Sequence, residues 1–236
     1  MKAENLQRLG DAEMAEEMIV ERIFEAVVER RLPPGTKLSE SALCEVFGVG
    51  RMRIRRSLLL LASRDVIELR ANRGAYIASP SPTQAREVFE ARLAIEPAIT
   101  RLAVASATDA DIALLRENLN LEGAAHRGNL RHDAIRLSGE FHILLARIAG
   151  NAVLLRMCKE LVTRSSLIIG MFGSPGVANC RDDDHAAIVQ AFLDRDGATA
   201  SQLMAAHIGH IEHHLDLSTP ARSVVNLSEI FSADRA

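Results

Sequence analysis

Five residues, Ser79-Pro80-Ser81-Pro82-Thr83, divide this chain into two stretches with different patterning. Neither proline can occupy a helix interior or donate to a sheet, and serine favours caps and turns, so regular structure must stop and restart here. Upstream, short elements follow closely. Met14 to Arg31 sets Ile19, Ile23, Val27 and Val28 at helical spacing, and Leu32-Pro33-Pro34-Gly35 ends that helix. Ser39 is an N-cap that opens a short helix through Phe47. After the tight turn Gly48-Val49-Gly50, a third helix runs from about Arg51 to Arg64 with Ile54, Leu58 and Leu61 on one stripe. Val66–Leu69 and Ala75–Ala78 read as two strands joined through Arg70-Ala71-Asn72-Arg73-Gly74. Helix, helix, turn, helix, hairpin is the order of a winged helix-turn-helix.

Downstream there is no strand-like alternation. Helical patterns cover roughly 83–106, 109–127, 130–149, 152–171, 182–195 and 198–217, punctuated by Gly128-Asn129, Gly150-Asn151, Gly173-Ser174-Pro175-Gly176 and Asp196-Gly197. The expected fold is mainly α: an N-terminal winged helix-turn-helix over 12–79, a C-terminal all-α helical bundle over 80–219, and a polar, partly disordered tail over 220–236.

Several classes are excluded by composition. No run approaches the ~20 apolar residues of a membrane span, and the acidic N-terminal stretch is neither a signal nor a transit peptide. Cys44, Cys158 and Cys180 are odd in number and widely spaced, which suits reduced thiols in a cytoplasmic protein. The net charge of −3 conceals an asymmetry. Arg30 to Arg73 holds ten Lys and Arg against four Asp and Glu, whereas Pro80 onward holds fifteen against nineteen. A basic segment beside an acidic remainder fits a polyanion-binding module joined to something else.

The basic charge concentrates in Gly50-Arg51-Met52-Arg53-Ile54-Arg55-Arg56. Cations at a helix N-terminus oppose the macrodipole, at a few tenths of a kcal/mol each, roughly, unless an anion meets them. Phosphates and guanine edges in the major groove are such partners. The other reading is a solvated arginine-rich face, made less attractive by the preceding helix and turn and by Arg73 on the hairpin.

With Pro34-Gly35, Leu38-Ser39-Glu40, Gly48-Val49, Arg51, Arg55 with Leu58, and Asn72-Arg73-Gly74, residues 19–77 resemble the winged-helix domain of the GntR family of bacterial regulators. The resemblance implies that the third helix enters DNA. It makes Arg51, Arg53 and Arg55 the DNA-contacting candidates there, and Arg73 and Gly74 those at the wing tip. Gly50, Met52, Arg53 and Arg56 depart from the usual family residues, which bears on operator sequence rather than fold. A two-fold regulator reading a short inverted repeat implies a homodimer.

All eight histidines lie in the second stretch, and His142, His185 and His207 each sit on or beside a core-facing stripe of a different helix. They suit either three separately satisfied core or surface histidines or a shared site for Zn²⁺ or Ni²⁺. Arg92 with Glu96-Pro97, Phe141-His142 with Ala149-Gly150-Asn151, His185 with Ile188 and Ala191, and Met204 with His207 make residues 84–216 resemble the FCD effector domain of the FadR branch of the same family. That resemblance implies a divalent metal on His142, His185 and His207 and a small carboxylate effector nearby. Ser138 replaces an expected aspartate ligand, which implies a weakened metal site. Glu140 stands two residues from His142 and is a poor substitute. Arg92, Ser138 and Arg164 are the effector-binding candidates, Arg92 serving either as a carboxylate clamp or as an ion-pair partner of Glu96 or Glu90.

The resulting expectation is a ligand-responsive DNA-binding regulator, a repressor released by its effector, and not an enzyme. The competing reading is a metal-dependent enzyme built on the three histidines. It lacks a recognisable paired carboxylate beside them and leaves the basic helix unexplained.

Overall fold

The computed structural model describes residues 16–173, 182–217 and 226–232. Met14, Ser174 to Gly176, Cys180 and most of the polar tail lie outside those residues. The chain divides into two compact units, one of residues 1–79 with 219–236, the other of residues 80–218.

The first unit opens with α1, helical over 16–28, which buries Ile19, Val20, Ile23, Val27 and Val28. Backbone bonds from Arg30 to Val27 and from Leu32 to Ala26 close its end. Helix α2 (Glu40–Phe47) is capped by Ser39, whose hydroxyl accepts from Ala42 N–H, and ends at Gly48 in the left-handed conformation at φ 64°. Helix α3 (Arg51–Ser63) turns Ile54, Ser57, Leu58 and Leu61 inward. Strands β2 (Ile67–Arg70) and β3 (Gly74–Ile77) form the expected hairpin, with Gly74 at φ 94° where a side chain would be strained. A further strand was not expected: β1 (Lys37–Leu38) pairs antiparallel with β3 through Lys37↔Tyr76 and Leu38↔Ala75, giving the sheet order β1-β3-β2. Two residues carry no readable alternation, and their pairing depends on tertiary proximity.

The polar tail contains an element that the sequence does not signal. Within it, α10 (Leu227–Ser232) is helical and packs on α2 in the first unit.

The second unit comprises α4 (Pro82–Ser106), α5 (Asp109–Arg127), α6 (Arg131–Ile148), α7 (Ala152–Phe172), α8 (Asp182–Leu193) and α9 (Gly197–His213). Their starts follow from capping chemistry. Ser81 with Gln84 and Thr108 with Asp111 form capping boxes, Pro82 supplies a preset first turn, and Asn151 and Asp196 cap α7 and α9. Helix α4 is central and packs on α6, α7 and α9, while α5 joins α6 and α8. At Gly139 a Cβ would come within 3.0 Å of Val162 Cγ1, so α6 and α7 approach closely one turn before His142. No helix among the described residues is long and apolar enough to cross a membrane.

Candidate functional site

On α3 the buried stripe leaves Arg51, Met52, Arg55 and Arg56 exposed and Arg53 half-buried. Gly50 offers no side-chain cap and no acidic residue occupies the first turn, so the free N–H groups and the arginines add their positive charge. Two of these arginines are held. Arg55 Nε donates to both oxygens of Glu40 at 3.0 and 3.1 Å, tying α3 to α2, and Arg56 lies 3.5 Å from Glu16 of α1. Arg51, Arg53 and Arg73 form no ion pair among the described residues. Arg73 and Gly74 are exposed at the hairpin tip. The surface therefore offers guanidinium groups on an exposed helix face, beside Met52, and on an adjoining wing, an arrangement suited to a duplex backbone and groove.

The three histidines come together inside the second unit. His142 from α6, His185 from α8 and His207 from α9 are each at most 2% exposed. His185 Nε2 lies 3.0 Å from His207 Nε2, which lies 3.3 Å from His142 Nε2. Phe141 stacks on His185 with ring centroids 4.1 Å apart, restricting that imidazole. Four ligands about 2.0–2.1 Å from a tetrahedral ion stand about 3.3–3.4 Å from one another; the two spacings lie near that value, and the three ligand atoms all lie within 4.8 Å of one another.

Each outer ring nitrogen faces a carboxylate. His142 Nδ1 is 2.6 Å from Glu96 Oε2, His185 Nδ1 2.9 Å from Glu122 Oε2, and His207 Nδ1 3.3 Å from Asp184 Oδ2. His185 and His207 hydrogen-bond their carboxylates through Nδ1, whereas His142 Nδ1, though close to Glu96, lacks hydrogen-bond geometry towards it. Where those two rings donate from Nδ1, their Nε2 lone pairs face each other and repel unless a proton or cation stands between them. Burial pushes the Glu96 carboxyl up, but Arg92 and His142 outweigh it and hold the group well below the usual range. Burial opposes ionisation of Glu122 too, and the His126 imidazole 3.8 Å away together with the His185 hydrogen bond brings it to about 2. The His207 hydrogen bond lowers Asp184 to about 2, against burial and with help from His210. Burial drives His142 down to about 3, Glu96 opposing, so its imidazole is neutral. Three carboxylates against the Arg92 guanidinium leave two negative charges beside the neutral His142 imidazole. The donor set and the charge both fit a divalent cation.

No paired carboxylate beside the histidines is recognisable in the sequence; the structure brings three carboxylates to them. They come from α4, α5 and α8; Asp184 directly precedes His185 but faces His207, and Glu96 and Glu122 lie far in sequence from the histidines they meet. A usable signal existed: Glu96 and Glu122 interrupt the buried stripes Phe89-Arg92-Glu96-Ile99 and Leu115-Asn118-Glu122-Ala125 with charge.

The effector candidates are placed differently. Arg92 is 2% exposed, donates Nε and Nη2 to Glu96 at 2.5 and 3.2 Å, and donates Nη1 to Ser165 at 2.9 Å. Of its two sequence readings the ion pair with Glu96 is thus present, and the guanidinium holds Glu96 against His142. Ser138 is half-buried on α6, one turn before His142. Arg164 pairs with Glu160 at 3.0 Å on α7 and is 40% exposed. Glu140 pairs with Arg147 at 3.1 Å.

Comparison with known proteins follows the same division. A model of the bacterial regulatory proteins of the gntR family matches residues 15–77, and a model of the FCD domain matches residues 87–210. The chain belongs to the GntR family. The HTH-type transcriptional repressor RspR of Escherichia coli (strain K12) is 30% identical over 188 residues, spanning 78% of this chain and 82% of that protein. The HTH-type transcriptional repressor NanR of Klebsiella aerogenes is 26% identical over 220 residues, spanning 81% and 82%. Among solved structures, a GntR regulator from Rhodococcus sp. RHA1 has a TM-score of 0.70 at 17% identity over 84% of this chain and 95% of its own. E. coli McbR/YncC has 0.68 at 17% over 83% and 93%. Identity that low speaks for the fold alone. As a GntR regulator with an FCD domain, the chain is a DNA-binding transcription regulator and not an enzyme.

Proposed function

We propose that this GntR regulator is a cytoplasmic homodimeric repressor whose hold on an inverted-repeat operator is released by a small carboxylate effector at the histidine centre. The observation that carries the sensing half is the convergence of three buried Nε2 atoms backed by three carboxylates. His142, His185 and His207 would hold a zinc or nickel ion, which when bound supplies a positive Lewis-acidic point for an anionic oxygen. Glu122 and Asp184 fix the tautomer and aim of the His185 and His207 imidazoles, and Glu96 stands beside that of His142. Arg92 acts through Glu96, and Ser138, in place of a charged ligand, leaves a coordination position for effector oxygens at a cost in metal affinity. Arg164 stands as a weaker effector contact. On the DNA side, Arg51, Arg53 and Arg55 contact bases or phosphates, and Arg73 and Gly74 approach the backbone or minor groove at the wing. Its repressor relatives support the direction of control.

Equilibrium dialysis of chelator-treated protein against zinc and nickel tests the centre. We expect one ion per chain, loss of binding in His142→Ala, and roughly tenfold tighter binding in Ser138→Asp. Retained stoichiometric binding in His142→Ala sinks the assignment. Binding to duplexes selected from a random pool, with small carboxylates added, tests release.

A further inference from the structure

The helix α10 lies in a polar segment, yet Leu227 and Phe231, four residues apart, are 7% and 1% exposed. A six-residue helix is not stable by itself in water, so its seat must hold it. The Phe231 ring meets Phe47 of α2 with centroids 5.3 Å apart. Arg22 of α1 lies over both rings, 5.5 and 5.8 Å from their centroids, and donates Nη2 to the Phe231 carbonyl at 3.2 Å. Arg31 donates Nη1 to the Ile230 carbonyl at 3.0 Å. Those carbonyls belong to the last turn of α10, where helical partners run out and the dipole favours cations. At the other end Asn226 accepts from Ser228 N–H and donates to Glu229, capping the helix.

The location of the seat gives it a role. Phe47 is the last residue of α2, Gly48-Val49-Gly50 follows, and Arg51 opens α3. We infer that Arg22, Arg31 and Phe47 form a docking surface for this chain's own C-terminal helix, and that α10 braces the helix-turn-helix where the chain turns into the DNA-contacting helix. The occupant is specified by its chemistry. The surface takes a short helix that presents an aromatic ring to Phe47 and its terminal carbonyls to two guanidinium groups, and residues 226–232 supply both.

Hydrogen exchange on the intact protein tests the docking independently of DNA. Phe231→Ala and a chain ending at Asn226 should both speed exchange in α2 and the second half of α1 about tenfold or more, and leave α4 to α9 unchanged. Both should bind duplexes selected from a random pool several-fold more weakly than the intact chain. A peptide of residues 226–236 added to the shortened chain should restore protection, and the same peptide carrying Phe231→Ala should not. Unchanged exchange in α1 and α2 for both variants overturns the proposal, as does equal rescue by the two peptides. Protection of α2 in the intact chain that falls in step with dilution into monomers assigns the seat to the helix of a second copy, and the own-chain brace is then wrong.

Discussion

The arginines of α3 fall within six consecutive residues on an outward face, whereas the three histidines come from α6, α8 and α9 and are at most 2% exposed. The two regions show what burial demands. An exposed guanidinium keeps most of its hydration, so α3 can carry four of them with only an ordinary apolar stripe beneath. A buried imidazole or carboxylate must have its polar atoms met by partners, and no single helix can supply them all. The histidine centre therefore recruits Glu96 and Arg92 from α4, Glu122 from α5 and Ser165 from α7. On the DNA side a substitution should alter binding and leave stability alone. At the buried histidine centre a polar substitution should do both.

The sharpest way to break that contrast is Arg92→Ala. It leaves Glu96 buried with its main counter-charge gone, and one-sided loss from a buried pair costs about 3–5 kcal/mol. Urea denaturation should show this as a large drop in the stability of the effector unit. A loss below about 1 kcal/mol would mean that water reaches the pair freely.

Acid should separate the regions next. The folded value for His142, about 3, lies below that of an unfolded histidine, so the unfolded chain takes up the proton first. Its stabilising contribution is complete above about pH 6.5 and is lost as pH falls towards 3. Glu122 and Asp184, both held at about 2, lose theirs as pH falls from the ordinary carboxylate range towards 2, in the same direction. Chelator-treated protein should lose on the order of a few kcal/mol from the effector unit across this span. The winged-helix unit contains no histidine and should not share the decline above pH 5. Equal acid sensitivity of the two units would dissolve the distinction.

Arg51→Ala and Arg55→Ala should each weaken operator binding by about 1–3 kcal/mol where the residue reads a base, and flatten the salt dependence where it meets phosphate. The unfolding midpoint should stay put. Filter binding across a salt series reads both, and unchanged affinity in the two variants would remove α3 from the interface. The smallest effect belongs to Glu140→Ala. Its pair with Arg147 is exposed, so stability should shift by less than about 0.5 kcal/mol, with metal affinity unaltered. A clear loss of metal by dialysis would return Glu140 to the centre.

What the sequence made legible follows from the same physics. Helices of the second unit appear within a few residues of their observed bounds because apolar spacing and breakers such as Gly128-Asn129 and Asp196-Gly197 are local signals. The arginine cluster of α3 is legible because its members are neighbours in the chain. The pairing of β1, the seat of α10 and the carboxylates behind the histidines each depend on residues far apart in sequence, 209 apart for Arg22 and Phe231. Such contacts leave no periodicity. Only charge on an inward stripe, as at Glu96 and Glu122, hints that a distant partner must exist.

The return of α10 to α2 also governs how regulators of this build can be recombined. Residues 1–79 and 219–236 together make one unit, with the effector domain inserted between them. A hybrid that transplants only the stretch before the Ser79-Pro80-Ser81-Pro82 junction carries the winged helix without its C-terminal brace, and leaves the ring of Phe47 without its partner. A faithful graft takes both ends of the chain, and exchanges the sensor in the middle as a cassette.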